Sequence, residues 1–253
     1  MLNLLLTDFR RLIKDKVFYI GLLILAFYGF WGVRTTSCFE LDKCISIDGS
    51  SMLVAMPAMI ILFVIFFTSL FIGTDYNEGT IRNKVIVGKK RSYIYLSNLI
   101  VTFIVTTIYF LTYYLSIRLG LHHYKCTIDL DKTVLKYLLF DGYFLTLAFS
   151  SLTTFIGMLY TNKVGSLLGS IISYGVLLII GGNIIFSFMD SKYSASKPLR
   201  MLIELLPNVQ LGLMFEDGYN AIVNYKVMWL GSLFFIVLIN TIGMLLFEVK
   251  DLK

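Results

Sequence analysis

The stretch Gly49-Ser-Ser-Met-Leu-Val-Ala-Met-Pro-Ala-Met-Ile-Ile-Leu-Phe-Val-Ile-Phe-Phe-Thr-Ser-Leu-Phe-Ile-Gly-Thr74 contains no Asp, Glu, Lys or Arg. A helix needs about 20 apolar residues to cross the roughly 30 Å hydrocarbon layer of a bilayer. Apolar runs of this length are typical of membrane proteins and rare in soluble cores. The stretch therefore predicts one membrane-spanning helix.

Five other uncharged runs occur in the 253 residues, of which 57% are apolar and 15% charged. Soluble domains are about a quarter charged. The sequence thus predicts an all-α membrane protein with one transmembrane domain over residues 1–253. Its six spans are predicted at about 17–33, 50–72, 92–117, 142–162, 164–189 and 227–247. Because only Lys163 separates the fourth span from the fifth, we expect a tight hairpin there.

The distribution of basic residues predicts the orientation of these spans. Lys and Arg near the ends of spans favour the cytoplasmic side. If both termini are cytoplasmic, the inside segments hold 12 of the 22 Lys and Arg residues within only 40 residues. We therefore expect both termini in the cytoplasm. These flanks also account for the net charge of +6, so nucleic-acid binding is not expected.

The segment Met1–Lys16 has the pattern of an amphipathic helix. Leu2, Leu5, Leu6, Phe9, Leu12 and Ile13 recur at helical spacing, and Asn3, Arg10, Arg11 and Lys14 occupy the opposite face. Such a helix lies in the interface with its apolar side in the membrane and its basic side near anionic headgroups. The sequence predicts an interfacial helix that turns into the first span.

The loop between the second and third spans mixes acidic, small and basic residues. Glu78 precedes Gly79 and Thr80, which favours a helix start with a negative charge near the positive end of its dipole. Ile81, Val85 and Ile86 would form an apolar edge, and Gly88 would end the helix. We interpret this loop as a short helix that docks a protein.

Two short apolar stretches on the outside, Thr133–Phe140 and Pro198–Leu206, are too short to cross a membrane. We interpret both as interfacial or re-entrant segments. Cys38 and Cys44 lie in one outside loop, where they could form a disulfide in an oxidising compartment or remain two thiols.

With these features the chain resembles the membrane subunit of an ABC type-2 exporter. The resemblance covers the layout of the whole chain. It rests on the basic N-terminal helix, the loop Glu78-Gly-Thr-Ile-Arg-Asn-Lys-Val85 with Gly88 and Arg91 following, and the Pro198–Pro207 segment before the last span. Because the longest outside loop is Asp190–Lys226, the similarity is to small half-size permeases that export amphipathic peptides such as lantibiotics and modulins.

The resemblance implies a cytoplasmic coupling helix that contacts a separate ATPase subunit. The implied contact residues are Glu78, Gly79, Thr80, Ile81, Arg82 and Lys84. It also implies a homo- or heterodimer of permeases with two ATPase subunits, which would bind the ATP and magnesium. The expected location is the plasma membrane of a bacterium, and the expected cargo is amphipathic or apolar, with a peptide or toxin favoured.

The chain itself lacks the Gly-x-x-x-x-Gly-Lys-Ser/Thr pattern that cradles phosphates, so we expect no ATP hydrolysis by this chain. We also expect no bound cofactor or metal. The spans were defined by uncharged runs, and they leave no evident proton relay. Five polar or aromatic residues in the spans are candidates for a translocation path, although each could instead join helices: Asn98, Tyr109, Tyr113, Asn183 and Asn240.

These observations give two hypotheses for function. The first is an exporter permease that moves cargo outward by alternating access. The second is a membrane anchor or sensor that transports nothing and recruits a cytoplasmic protein through the same loop. Both use a docking surface, so the sequence leaves both open.

Overall fold

The computed structural model describes residues 1–37, 50–124, 132–190, 205–210 and 225–250. These residues form helices and turns and contain no strand. The helices are α1 (Leu2–Lys14), α2 (Lys16–Ser37), α3 (Ser50–Asn77), α4 (Thr80–Ile86), α5 (Arg91–Tyr124), α6 (Lys132–Leu159), α7 (Lys163–Asp190) and α8 (Tyr225–Val249), with a single helical turn at 207–210. Cys38 and Cys44 lie outside the described residues.

Six of these helices, α2, α3, α5, α6, α7 and α8, are long and apolar enough to cross a membrane. The protein is therefore an all-α, multi-pass membrane protein. Helices α3, α5 and α6 form the centre of the bundle, since more than half of each apolar window is buried inside the protein. Helices α2, α7 and α8 lie at the periphery and expose apolar side chains such as Leu23, Ile172 and Phe234.

The N-terminal helix α1 presents three different sides. Leu4, Asp8 and Leu12 are buried against the bundle, where α1 packs on α5. Leu6, Phe9 and Ile13 remain exposed, as expected for a helix whose apolar side meets lipid. Arg10 and Lys14 are exposed on the remaining side. A helix is therefore present over the predicted segment, and its position in the membrane interface stays a prediction. The buried side was not anticipated.

The start of the fourth span differs from the prediction. Helix α6 begins at Lys132 and continues to Leu159, so the predicted start at Gly142 is ten residues too late. Thr133–Phe140 is the first part of this helix, so it is not a separate segment. The predicted span started at Gly142 because Asp141, the residue before it, is charged. In the structure Asp141 lies inside the helix and is buried.

Glycines allow the closest helix contacts. A Cβ atom at Gly73 of α3 would lie 2.7 Å from Cα of Lys163, the first residue of α7. On the exposed side of α7, a Cβ atom at Gly175 would have no neighbour within 4 Å. A side chain is therefore excluded by backbone at the first glycine and has free space at the second.

We predict that Gly73→Ala separates the end of α3 from the start of α7 and lowers the unfolding free energy by about 1–3 kcal/mol. The matched change Gly175→Ala should alter it by no more than about 0.5 kcal/mol. Unfolding of both variants in detergent is followed by circular dichroism or by a fluorescent dye that does not react with cysteine. Equal stability of the two variants would contradict this account of the α3–α7 contact.

Candidate functional site

The candidate site lies at the end of the bundle that carries α1 and α4, called here the α1–α4 end. Helix α4 is short because a glycine in the left-handed backbone region stands at each side of it. Gly79 has φ +68° and precedes the helix, and Gly88 has φ +83° and follows it. Residues with a Cβ rarely adopt this conformation, so both positions favour glycine. The predicted short helix between the second and third spans is therefore present, over Thr80–Ile86.

The hydroxyl of Thr80 fixes the start of α4 to the end of α3. It donates a hydrogen bond to the backbone carbonyl of Asp75 at 3.1 Å and also bonds the Asp75 carboxylate. Ile81 is fully buried beneath the helix. These contacts hold α4 against the bundle in one orientation.

A group of four charged side chains joins α1, α3 and α4, and we call it the junction network. It consists of Asp8, Arg11, Asp75 and Lys84. The Arg11 guanidinium pairs with the Asp75 carboxylate and also lies 3.7 Å from the ring centroid of Phe71. The Lys84 ammonium donates to Asp8 at 2.8 Å and lies 3.5 Å from the second oxygen of Asp75, an ion-pair distance without a direct hydrogen bond.

The junction network is mostly inaccessible to water. The side chains of Asp8 and Asp75 are 3% and 1% exposed, and that of Lys84 is 16% exposed. The hydroxyl of Ser97 on α5 donates to the second oxygen of Asp8 at 2.6 Å. Charges in such a position are strongly coupled, because removing one partner leaves another charge poorly solvated. The network therefore fixes α1 to α4 more firmly than exposed ion pairs would.

The opposite side of α4 is open. Glu78 and Arg82 are exposed and carry opposite charges, and the apolar side chains of Ile86 and Val87 are 71% and 75% exposed. The predicted apolar edge is thus divided, since Ile81 faces the bundle and Ile86 faces outward. An exposed surface that combines apolar side chains with both charges is suited to contact a protein.

A groove of about 500 Å³ runs between α1 and α4 beside this surface. Its walls are apolar at Leu4 and Val87, and amine and amide groups surround it. The lining residues are Asn3, Leu4, Thr7, Thr80, Asn83, Lys84, Val87 and Lys89. The groove extends the exposed side of α4 toward the N-terminus of α1.

The six residues implied as ATPase contacts therefore occupy different positions. Glu78 and Arg82 are accessible, whereas Gly79 and Thr80 are half-buried. Ile81 and Lys84 point toward the bundle, where Lys84 belongs to the junction network. Sequence reasoning missed Asp8 and Asp75 as site residues. The sequence did contain a signal for Asp8. This acidic residue lies four residues after Leu4 and four before Leu12, so it interrupts an otherwise apolar side of α1.

A second set of contacts fixes the end of α8 at the α1–α4 end. The Arg91 guanidinium donates to the carbonyl oxygens of Phe247, Glu248 and Lys250. The Lys250 ammonium donates to the carbonyl of Met158 at 2.7 Å and to the hydroxyl of Tyr76 at 3.0 Å. Burial lowers the pKa of Lys250 to about 8. These contacts tie α8 to the ends of α3 and α6.

Four of the five candidate path residues are buried between helices. Tyr109 stacks on Phe18 and donates to its backbone carbonyl at 3.2 Å, which joins α5 to α2. Asn240 accepts from the Tyr95 hydroxyl at 3.1 Å and joins α8 to α5. Tyr113 and Asn98 are also fully buried. In this conformation all four residues are buried among the described helices.

The fifth candidate, Asn183, lies on α7 and is exposed. It therefore lies apart from the four buried residues, three of which belong to α5. The structure does not bring the five candidates together around one space.

Comparison with protein-family models finds no match, and no curated protein sequence matches this chain. The function is accordingly argued from the α1–α4 end itself.

We predict that Asp8→Ala lowers the unfolding free energy by about 2 kcal/mol, because the Lys84 ammonium loses its closest charged partner. Glu78→Ala, which removes an exposed carboxylate from the same region, should change it by no more than about 0.5 kcal/mol. Chemical denaturation in detergent measures both variants.

The double variant Asp8→Ala/Lys84→Met tests the pairing itself. Because it removes both charges, it should recover part of the stability that Asp8→Ala loses. If the double variant loses as much unfolding free energy as the single variants Asp8→Ala and Lys84→Met lose together, Asp8 and Lys84 do not interact.

Proposed function

We propose that this chain is the membrane subunit of an ATP-driven ABC exporter and that the exposed side of α4 docks the ATPase subunit. The observation that carries this proposal is the two-sided construction of α4. Its outer side offers Glu78, Arg82, Ile86 and Val87, and its inner side is held by the junction network. A coupling element needs both properties, since it has to bind a partner and to transmit the partner's movement.

The path of transmission follows from the contacts. A force on α4 reaches the end of α3 through Thr80 and Asp75, and reaches α1 through Lys84 and Asp8. From α1 it continues to α5 through the bond between Asp8 and Ser97. Movement of one short helix would thus displace two central helices of the bundle together.

In this mechanism, ATP and magnesium act in the separate ATPase subunits. ATP binding draws two ATPases together, and each moves the α4 helix to which it is docked. The bundle then changes between an inward-open and an outward-open arrangement, each favoured by a different nucleotide state. Two permease copies, identical or different, would enclose the pathway for the cargo.

The apolar composition of the spans supports an amphipathic or apolar cargo, with a peptide or toxin favoured.

The proposed location is the plasma membrane of a bacterium, with both termini and α4 in the cytoplasm. This orientation is supported by the density of Lys and Arg in the sequence, which is about twice as high in the inside segments. Exposed basic side chains occur at both ends of the bundle, with Arg10 and Arg82 at the α1–α4 end and Arg118 and Lys132 at the other. The second candidate function, an anchor or sensor without transport, would use the same exposed side of α4.

Co-expression with ATPases from the same source tests the docking surface. We predict that Arg82→Glu and Glu78→Lys reduce recovery of the ATPase with the purified chain by about tenfold or more, since each reverses a charge at the centre of the surface. Lys90→Glu is the matched control for Arg82→Glu, because it lies in the same loop and changes the net charge equally.

The contrary results separate the two functions. Equal losses for Arg82→Glu and Lys90→Glu would contradict docking through α4 and indicate an unspecific charge effect. Recovery of a cytoplasmic protein without ATPase activity, with the same dependence on Arg82, would favour the anchor or sensor.

A further inference from the structure

One buried acidic residue plays no part in the α1–α4 end. Asp141 lies on α6, 18 residues before its end at Leu159, or about 27 Å along the helix axis. It is fully buried, and among the described residues neither carboxylate oxygen has a hydrogen-bond partner. Ionisable groups at such depth are costly and usually serve a function in membrane proteins.

Aromatic residues precede Asp141 on α6 and pack against α8. Trp229 of α8 packs against Tyr137 and Phe140 of α6, with ring centroids 6.0 and 5.8 Å apart. Tyr137 is one helical turn before Asp141, and Phe140 is its neighbour in the chain. The indole nitrogen of Trp229 is buried and also lacks a hydrogen-bond partner in the described part of the chain. Helices α6 and α8 thus each contribute a buried polar group without a hydrogen-bond partner among the described residues, an acceptor on α6 and a donor on α8.

Other buried polar groups occur on α8 and in the turn at 207–210. Ser232 of α8 donates to Gln210 at 2.8 Å, and Gln210 donates to the carbonyl of Met228 at 3.0 Å. Asn208 is buried beside Gly181 of α7. The turn at 207–210 therefore brings buried polar groups into contact with α7 and α8. Asp141 is the buried acidic residue of α6.

We propose that Asp141 and the neighbouring aromatic rings form a binding site for an organic ammonium group, so that the cargo is a cationic amphiphile. A carboxylate supplies the charge, and aromatic faces attract organic cations. A metal ion is less suited to the site, since the described residues contain no group of three His, Cys, Asp or Glu side chains. This inference rests on the proposed export function and names its cargo class.

The site is closed in the conformation described, so the ammonium group reaches it when α6 and α8 separate. In this proposal, that separation accompanies the change between the inward-open and outward-open arrangements. Once the cation has passed, the helices close again and Asp141 returns to its buried position. The carboxylate thus offers a transient partner for a charge that crosses the apolar bundle.

Trp229 provides a reporter at the site. The chain has two tryptophans, so Trp31→Phe leaves Trp229 as the only indole. The protein is placed in nanodiscs of zwitterionic lipid at pH 7, and 4-bromobenzylammonium is added, because bromine quenches indole fluorescence at short range and this probe holds it near the ammonium group. 4-Bromobenzyl alcohol is the uncharged probe of similar size.

We expect saturable quenching by the ammonium probe, with half-saturation at a concentration about tenfold or more lower than in the same chain with Asp141→Asn. The alcohol should quench both chains alike. The proposal would be overturned if the ammonium probe quenched both chains over the same concentration range. It would also be overturned if Asp141→Asn weakened quenching by the alcohol as much as quenching by the ammonium probe.

A competition measurement avoids dependence on the folding of Asp141→Asn. In the Trp31→Phe chain, unbrominated dodecylammonium should relieve the quenching, and dodecanol should not. Asp141→Glu, which retains the carboxylate, should preserve saturable quenching. Equal relief by both competitors would overturn the proposal. None of these measurements requires an ATPase, so their failure is distinct from failure of docking through α4.

Discussion

The buried ion pairs between Asp8, Arg11, Asp75 and Lys84 are the constraint on which the α1–α4 end depends. Without them, α1 would be held to the bundle mainly by Leu4 and Leu12, and α4, a seven-residue helix too short to be stable alone, mainly by Ile81 and Thr80. Opposite charges placed beneath both helices give them a fixed position. The same charges leave the outer side of α4 accessible, which is why this end can serve both packing and recognition.

The spanning helices are held mainly by close packing and by polar side chains that bond within or between helices. Tyr109 and Tyr95 reach from α5 to α2 and α8, and both hydroxyls find an acceptor there. Lipid offers no hydrophobic drive for helix association, so packing and such hydrogen bonds have to supply it. Tyr109 and Asn240, which the sequence suggested as parts of a translocation path, therefore join helices in this conformation. The buried groups without a hydrogen-bond partner among the described residues include the Tyr113 hydroxyl and the Asp141 carboxylate.

The sequence predicted the helices well, because an apolar run longer than 20 residues has few alternatives to a spanning helix. The short α4 was also predicted from Gly79, Gly88 and the acidic residue before them. The boundary at Gly142 was wrong, since a charge inside a helix can be buried by neighbours that are distant in sequence. The pairing of Asp8 with Lys84 and of Asp75 with Arg11 could not be predicted for the same reason: the partners lie 76 and 64 residues apart, in pairs that only tertiary packing creates.

The most direct test of the account is a distance measurement between α1 and α4. Spin labels replace the exposed Arg10 and Arg82 in a chain whose three cysteines are changed to serine, and pulsed electron resonance is recorded in nanodiscs. The account predicts one narrow distance distribution that broadens when Asp8 and Asp75 are both changed to alanine. A broad distribution in the parent chain, or the same distribution in both chains, would contradict the claim that the junction network joins the two helices.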